Sequence, residues 1–258
     1  DRFGGGTPAD FTQPYGVAVS HDGAMYVADS GNTRIVKYAS SGEFVLDWQV
    51  TQNGETDDDE PCRVAVDASG DVYVTTQFTD GVLKFTSDGE FITRIVYEEG
   101  EAFAGRGSVA IDSSGRMLAM GRSSVVSFFS TDGEYLYGVG EPGDGPGQLL
   151  VARDFVVDGD GNIYIADSGH QRIQKFDVNG NHVLTFGEDS EGNYHFYYPV
   201  AVEVDDESNL YVLDGSDNKV KKYRPGGNSR QTRALELEQK VPRRKKRQGK
   251  RGHRRHRS

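Results

Sequence analysis

Cysteine is almost missing from this chain of 258 residues: the single Cys62 excludes an internal disulfide and leaves no second thiol for a CxxC redox or metal motif. No apolar run approaches the roughly 18 residues that a membrane-spanning helix needs, so no membrane span is expected. The first residues, DRFGGGTPADF, carry neither a basic stretch nor an apolar signal core. A soluble chain is therefore expected, and the lack of an initiating Met points to a processed or truncated product, which leaves its compartment open. HExxH, GxSxG and CxxC are all absent. The six His are scattered: His21 and His170 fall in connections, His182 opens a strand, His195 lies between repeats, and His253 and His256 sit near the end. No catalytic grouping can be argued from them, and no cofactor is implied.

Acidic and basic residues are unevenly placed. Residues 229–258 hold 13 Lys and Arg against Glu236 and Glu238, a balance of +11, so the formal net charge of −11 leaves −22 for residues 1–228. A body that acidic repels polyphosphate at long range, and only the terminal run, Arg243 to Arg257 above all, could associate with nucleic acid or an anionic surface.

What the chain has in quantity is repetition. The stretch from Asp154 to Gly187 contains four short alternating runs rich in Val, Ile, Tyr and Phe, divided by Asp-Gly and Asn-Gly signals. Such runs are strands joined as hairpins, so one unit is a four-stranded antiparallel meander. Aligned glycines of the first turn, Gly23, Gly70, Gly115 and Gly161, followed by Ser208, are spaced by 47, 45, 46 and 47 residues. Those of the second turn, Gly42, Gly89, Gly133, Gly180 and Gly227, are spaced by 47, 44, 47 and 47. Two markers keeping one period of 40 to 50 residues, with four strands per unit, define an all-β protein, a β-propeller of four-stranded antiparallel blades.

The first repeat, PYGVAVSHDGAMYVADSGNTRIVKY, and the fourth, DFVVDGDGNIYIADSGHQRIQKF, resemble the NHL-repeat signature P-x-G-[VI]-A-V-D-x-x-G-x-[IV]-Y-V-A-D-x-x-N-x-R-I-x-x-[FY]. The second and third repeats lack its Asp and Arg. The resemblance implies a propeller, commonly six-bladed, and a non-enzymatic scaffold holding a protein, peptide or sugar ligand, although the family includes an amidating lyase. That lyase's zinc histidines follow a proline at inner-strand starts, where this chain has Tyr15, Cys62 and Val200. Five repeats are visible and the fifth lacks its last strand, so the reading is a truncated six-bladed propeller over residues 1–228. The alternative is five blades closed by the fragment Asp1 to Gly4. Residues 229–258 are expected to form a basic disordered tail, with ALELEQK able to make two helical turns.

An acid at the end of the second strand followed by a base five residues on recurs as Asp29 with Arg34, Asp167 with Arg172, and Asp214 with Lys219. Recurrence marks these pairs as structural loop clips. Asp158, Asp160 and Asn162 imitate the start of a calcium loop, but the downstream bidentate Glu is missing and ordinary turn chemistry explains the run. The repeats disagree in a chemically directed way only where the innermost strand starts. There Tyr15-Gly16, Cys62-Arg63, Gly107-Ser108, Arg153-Asp154 and Val200-Ala201 align, and Tyr15, Arg63, Arg153 and Asp154 become the candidate ligand-binding residues at the channel mouth. Three functions stay open: a binding scaffold with its ligand at the mouth, association through the basic tail, and a metal-assisted lyase or hydrolase in the mouth.

Overall fold

The computed structural model describes residues 10–51, 59–96, 107–121, 124–187, 196–216, 218–223 and the backbone of 235–237. Each repeat forms one antiparallel sheet whose strands run in sequence order from the centre outwards. Blade 1 consists of Pro14–Val19, Met25–Asp29, Arg34–Tyr38 and Phe44–Gln49. Blade 2 has Pro61–Val66, Val72–Thr76, Val82–Phe85 and Phe91–Ile95, and blade 3 has Val109–Ile111, Met117–Met120, Val126–Phe129 and Tyr135–Val139. Blade 4 is built from Ala152–Val157, Ile163–Asp167, Arg172–Phe176 and His182–Phe186. Blade 5 contains Pro199–Val204, Leu210–Asp214, Lys219–Tyr223 and Leu235–Leu237. The protein is thus an all-β propeller with five four-stranded blades described, and among these residues no helix is long and apolar enough to cross a membrane.

The last strand corrects the expected boundary at residue 228. Leu235–Leu237 pairs antiparallel with the third strand of blade 5, Val220 opposite Leu237. The Leu-Glu-Leu-Glu alternation is a period-two strand pattern, and the open edge of Lys219–Tyr223 has backbone donors and acceptors that a neighbouring strand satisfies. The fragment Asp1 to Gly4 and the basic run beyond residue 237 lie outside the described residues.

The turns form where the glycine spacing places them. Gly23, Gly70, Gly115 and Gly161 have φ of 82 to 92°, and Ser208, in the same position, has 60°. This left-handed conformation closes the hairpin, and a Cβ there is strained, so four of five units use glycine.

The core lies between blades, because successive residues of a strand point to opposite faces. Val72 and Val74 pack towards Tyr26, Ile35 and Trp48 of blade 1, while Tyr73, between them, joins Met117 and Phe129 of blade 3. Phe128 and Val139 meet Ile163 and Phe176, and Tyr164 and Ile173 meet Val212 and Tyr223. Hydroxyls tie neighbouring blades as well. Ser30 donates to the carbonyl of Pro61, Ser168 to that of Pro199, and Thr75 to that of Gly107 at 2.7 Å, while Ser124 accepts from the N–H of Ala152 at 3.0 Å.

Candidate channel-mouth site

The inner strands line a cavity of about 610 Å³. Its wall is set by two positions of the repeat. The first holds Gly16, Arg63, Ser108, Asp154 and Ala201, and the second, two residues on, holds Ala18, Ala65, Ala110, Val156 and Glu203. Small or apolar side chains dominate both rings, so Arg63, Ser108, Asp154 and Glu203 concentrate the polar chemistry, with Tyr15 and Tyr211 on the same wall.

Arg63 is held from both sides. Its backbone N–H donates to Oγ1 of Thr75 at 3.2 Å, and Nη1 donates to the carbonyl of Tyr15 in blade 1 at 2.9 Å. Gly16 makes this approach possible, since a Cβ there would sit 2.7 Å from the carbonyl oxygen of Cys62 and 3.0 Å from Cα of Arg63. Asp154 accepts from Oγ of Ser108 at 2.5 Å and from the N–H of Val202 at 3.1 Å, bridging blades 3 and 5. Burial pushes its carboxyl above the usual range, and Ser108, Arg63 and the backbone donors oppose this only in part. Burial also raises Glu203, and the neighbouring charge of Asp154 adds to the effect.

Of the four residues expected at the mouth, Tyr15, Arg63 and Asp154 line the cavity, and Arg153 does not. Arg153 occupies the irregularity between Ala152 and Asp154, where the pairing register shifts. At such a bulge the extra residue is left unpaired and its side chain is re-aimed, here away from the cavity. Its guanidinium lies 5.5 Å over the ring of Tyr198 and donates to that residue's hydroxyl at 2.5 Å. Ser108 and Glu203 were not singled out from sequence, yet both depart from their aligned positions.

The loop clips form, with one change of partner. Nε of Arg34 is 2.8 Å from Asp29, and Nε of Arg172 is 2.9 Å from Asp167. In blade 5 the amine that reaches Asp214, at 3.0 Å, belongs to Lys221 rather than Lys219. Lys221 occupies the position of Gln174 in blade 4, whose amide also reaches Asp167, at 3.5 Å. It lies two residues on along the same strand face, where a long flexible amine meets the carboxylate. Each acid also accepts from the loop that enters its blade: Asp29 from Thr12, Asp167 from Leu150, Asp214 from Tyr197 and Tyr198. Blade 2 inverts the arrangement, with Asp59 of the entering loop accepting from Thr76, Phe78 and Thr79.

Asp158 closes its turn, accepting from the backbone N–H groups of Asp160 and Asn162 at 3.0 and 2.8 Å. Asn162 directs its amide nitrogen at that carboxylate, 2.9 Å away, which is the polarity of a donor and not of a cation ligand. Among the described residues no group of three or more His, Cys, Asp or Glu is placed to hold a metal ion.

The comparisons agree on architecture. A family described as 6-bladed beta-propeller matches residues 117–240, slightly under half of the chain. No curated protein matches the sequence. Among solved structures, a streptogramin B lyase superposes with a TM-score of 0.67 at 14% identity, covering 86% of this chain and 69% of the other. A catalytically inactive virginiamycin B lyase from Staphylococcus aureus with quinupristin gives 0.67 at 12%, covering 89% and 71%. A chain of a nidogen/laminin complex gives 0.61 at 17%, covering 82% and 75%. At such identities the likeness shows the fold alone.

Proposed function

We propose that the protein is a non-enzymatic binding scaffold, with repeats of the NHL type, that takes a carboxylate-bearing ligand at the channel mouth. The observation that carries this reading is the state of Arg63. A guanidinium has five N–H donors and keeps its charge at any physiological pH. Here one donor meets the carbonyl of Tyr15, and among the described residues no carboxylate comes within ion-pair distance. Asp154 is committed elsewhere, to Ser108 and Val202. The charge of Asp154 acts on Arg63 only from beyond ion-pair distance, so a ligand carboxylate would give the remaining guanidinium donors a direct partner. The cavity volume of about 610 Å³ suits a small or peptidic ligand. Tyr15 forms a flanking aromatic wall, and Ser108, Asp154 and Glu203 offer acceptors for polar hydrogens on the ligand.

The test is calorimetric titration with a panel of N-acetyl amino acids and their carboxamide counterparts. The acids should bind and the amides should not, and Arg63→Met should weaken the acids about tenfold or more, corresponding to roughly 1.4 kcal/mol. Equal binding of acid and amide, or undiminished binding by Arg63→Met, would overturn the reading.

A further inference from the structure

At the end of the blades where the mouth opens, the clips do more than close loops. Phe78 donates its N–H to Asp59 at 2.7 Å and is 64% exposed. Leu150 and Tyr197 donate theirs to Asp167 and Asp214, and are 55% and 61% exposed. Single exposed apolar residues are ordinary on any protein. These three share a construction: a buried carboxylate pins the backbone of a large apolar residue whose side chain is left in solvent. Register places them at one end, since Pro61, Ala152 and Pro199 pair with Thr76, Asp167 and Asp214. Tyr15, and Tyr198 with Arg153 stacked on it, stand among them.

We infer that this face docks an extended polypeptide segment bearing an acidic side chain between large apolar ones, its carboxylate meeting Arg63 and its apolar groups resting on Phe78, Tyr197 and their neighbours. The inference rests on the reading of the mouth given above and narrows its ligand to a polypeptide. Aromatic and Arg side chains are the ones that anchor protein interfaces, and backbone pinned before binding lowers the ordering cost of association. Charge selects the end of the propeller. At the opposite end Lys84, Arg116 and Lys222 are paired with Asp71, Asp112 and Asp205, whereas among the described residues Arg63 and Arg153 at the mouth end have no carboxylate within ion-pair distance. A body with a balance of −22 over residues 1–228 disfavours nucleic acid there.

The test is selection of a phage-displayed library of random linear peptides on the full chain, followed by affinity measurement of the enriched peptides. They should contain Asp or Glu flanked by large apolar residues and should bind Arg63→Met, Phe78→Ser and Tyr197→Ser at least about tenfold more weakly. Unchanged melting midpoints of the two surface variants, Phe78→Ser and Tyr197→Ser, would show that the loss is not unfolding. No enrichment, enriched peptides without a carboxylate, or wild-type affinity for all three variants would overturn the inference. If N-acetyl amino acids still bound in an Arg63-dependent way, that outcome would leave the channel reading standing alone. Displacement of the peptides by a single-stranded oligonucleotide at equal concentration would instead assign the face to nucleic acid.

Discussion

Nε of Arg172 donates to Oδ2 of Asp167 at 2.9 Å, and the same guanidinium continues through Nη2 to the carbonyls of Gly145 and Gln148, at 3.0 and 2.7 Å. The pair therefore joins the second and third strands of blade 4 to the loop that enters it. Asp167 has no exposed side-chain surface, so removing the guanidinium leaves a buried charge short of a partner. Arg172→Met should lower stability by about 2 kcal/mol. Chemical denaturation checks this, and a loss below the error of the measurement would show that the clip is dispensable.

His170 links the same carboxylate to a second one, with Nδ1 2.7 Å from Asp167 and Nε2 2.9 Å from Asp144. Only the imidazolium donates at both nitrogens. Burial works against that charged form, but the hydrogen bonds to Asp144 and Asp167 outweigh it, against some repulsion from Arg172, and hold the pKa above 6.5. A raised folded-state pKa stabilises fully below the unfolded value and loses its contribution as pH rises through the folded one. His182 acts in the opposite sense, since burial and Arg172 lower its pKa. The effect of His170 is thus isolated by difference. The stability gap between wild type and His170→Gln should shrink as pH rises above 6.5, in melting curves recorded across that range. A gap independent of pH would refute it.

The repeats were legible because alternating apolar residues and glycine turns are local signals, and the five first turns, at Gly23, Gly70, Gly115, Gly161 and Ser208, all adopt the positive φ that their spacing implies. The composition of the candidate cavity wall was legible in part. Arg63 and Asp154 stood out as charges at positions other repeats fill with Gly16 or Ala201. Extending that comparison two residues along the strand would have found Glu203 opposite Ala18, Ala65, Ala110 and Val156. Arg153 misled because it occupies the bulge before Asp154, and the sequence does not show where a bulged side chain is aimed; Tyr198 draws it off the channel. Lys221 was missed because the pairing was sought at a fixed offset of five, whereas a lysine stem also reaches its acid from seven. Leu235–Leu237 reads within ALELEQK as helical turns, because three residues are too few for a period of two to be told from helical spacing, and the edge of blade 5 selects the strand.

Gly16 offers a test of how closely the channel wall is built. Any Cβ at this position meets backbone atoms of Cys62 and Arg63, which cannot rotate aside as a side chain would. Gly16→Ala should push the inner strands of blades 1 and 2 apart and destabilise the fold by about 1 to 3 kcal/mol. It should also disturb the Arg63 to Tyr15 bond and weaken binding of N-acetyl amino acids. Wild-type stability in this variant would mean that the strands relax freely.

The end of blade 5 separates two accounts of the C-terminal segment. If residues 229–258 were only a solvated basic tail, removing everything after Gly227 would leave the melting midpoint unchanged. The sheet says otherwise: Leu235, Glu236 and Leu237 pair with Lys222, Lys221 and Val220. Losing that strand exposes the edge of Lys219–Tyr223, whose Lys221 is the base that neutralises buried Asp214. Truncation after Gly227 should therefore lower the midpoint by several degrees, a loss on the order of 1 to 2 kcal/mol in a domain this size. Truncation after Leu237 keeps the strand, removes the Arg243 to Arg257 run and should leave the midpoint near that of the full chain. Calorimetry on the two truncations decides the matter, and equal midpoints for both would show that Leu235–Leu237 contributes nothing to blade 5.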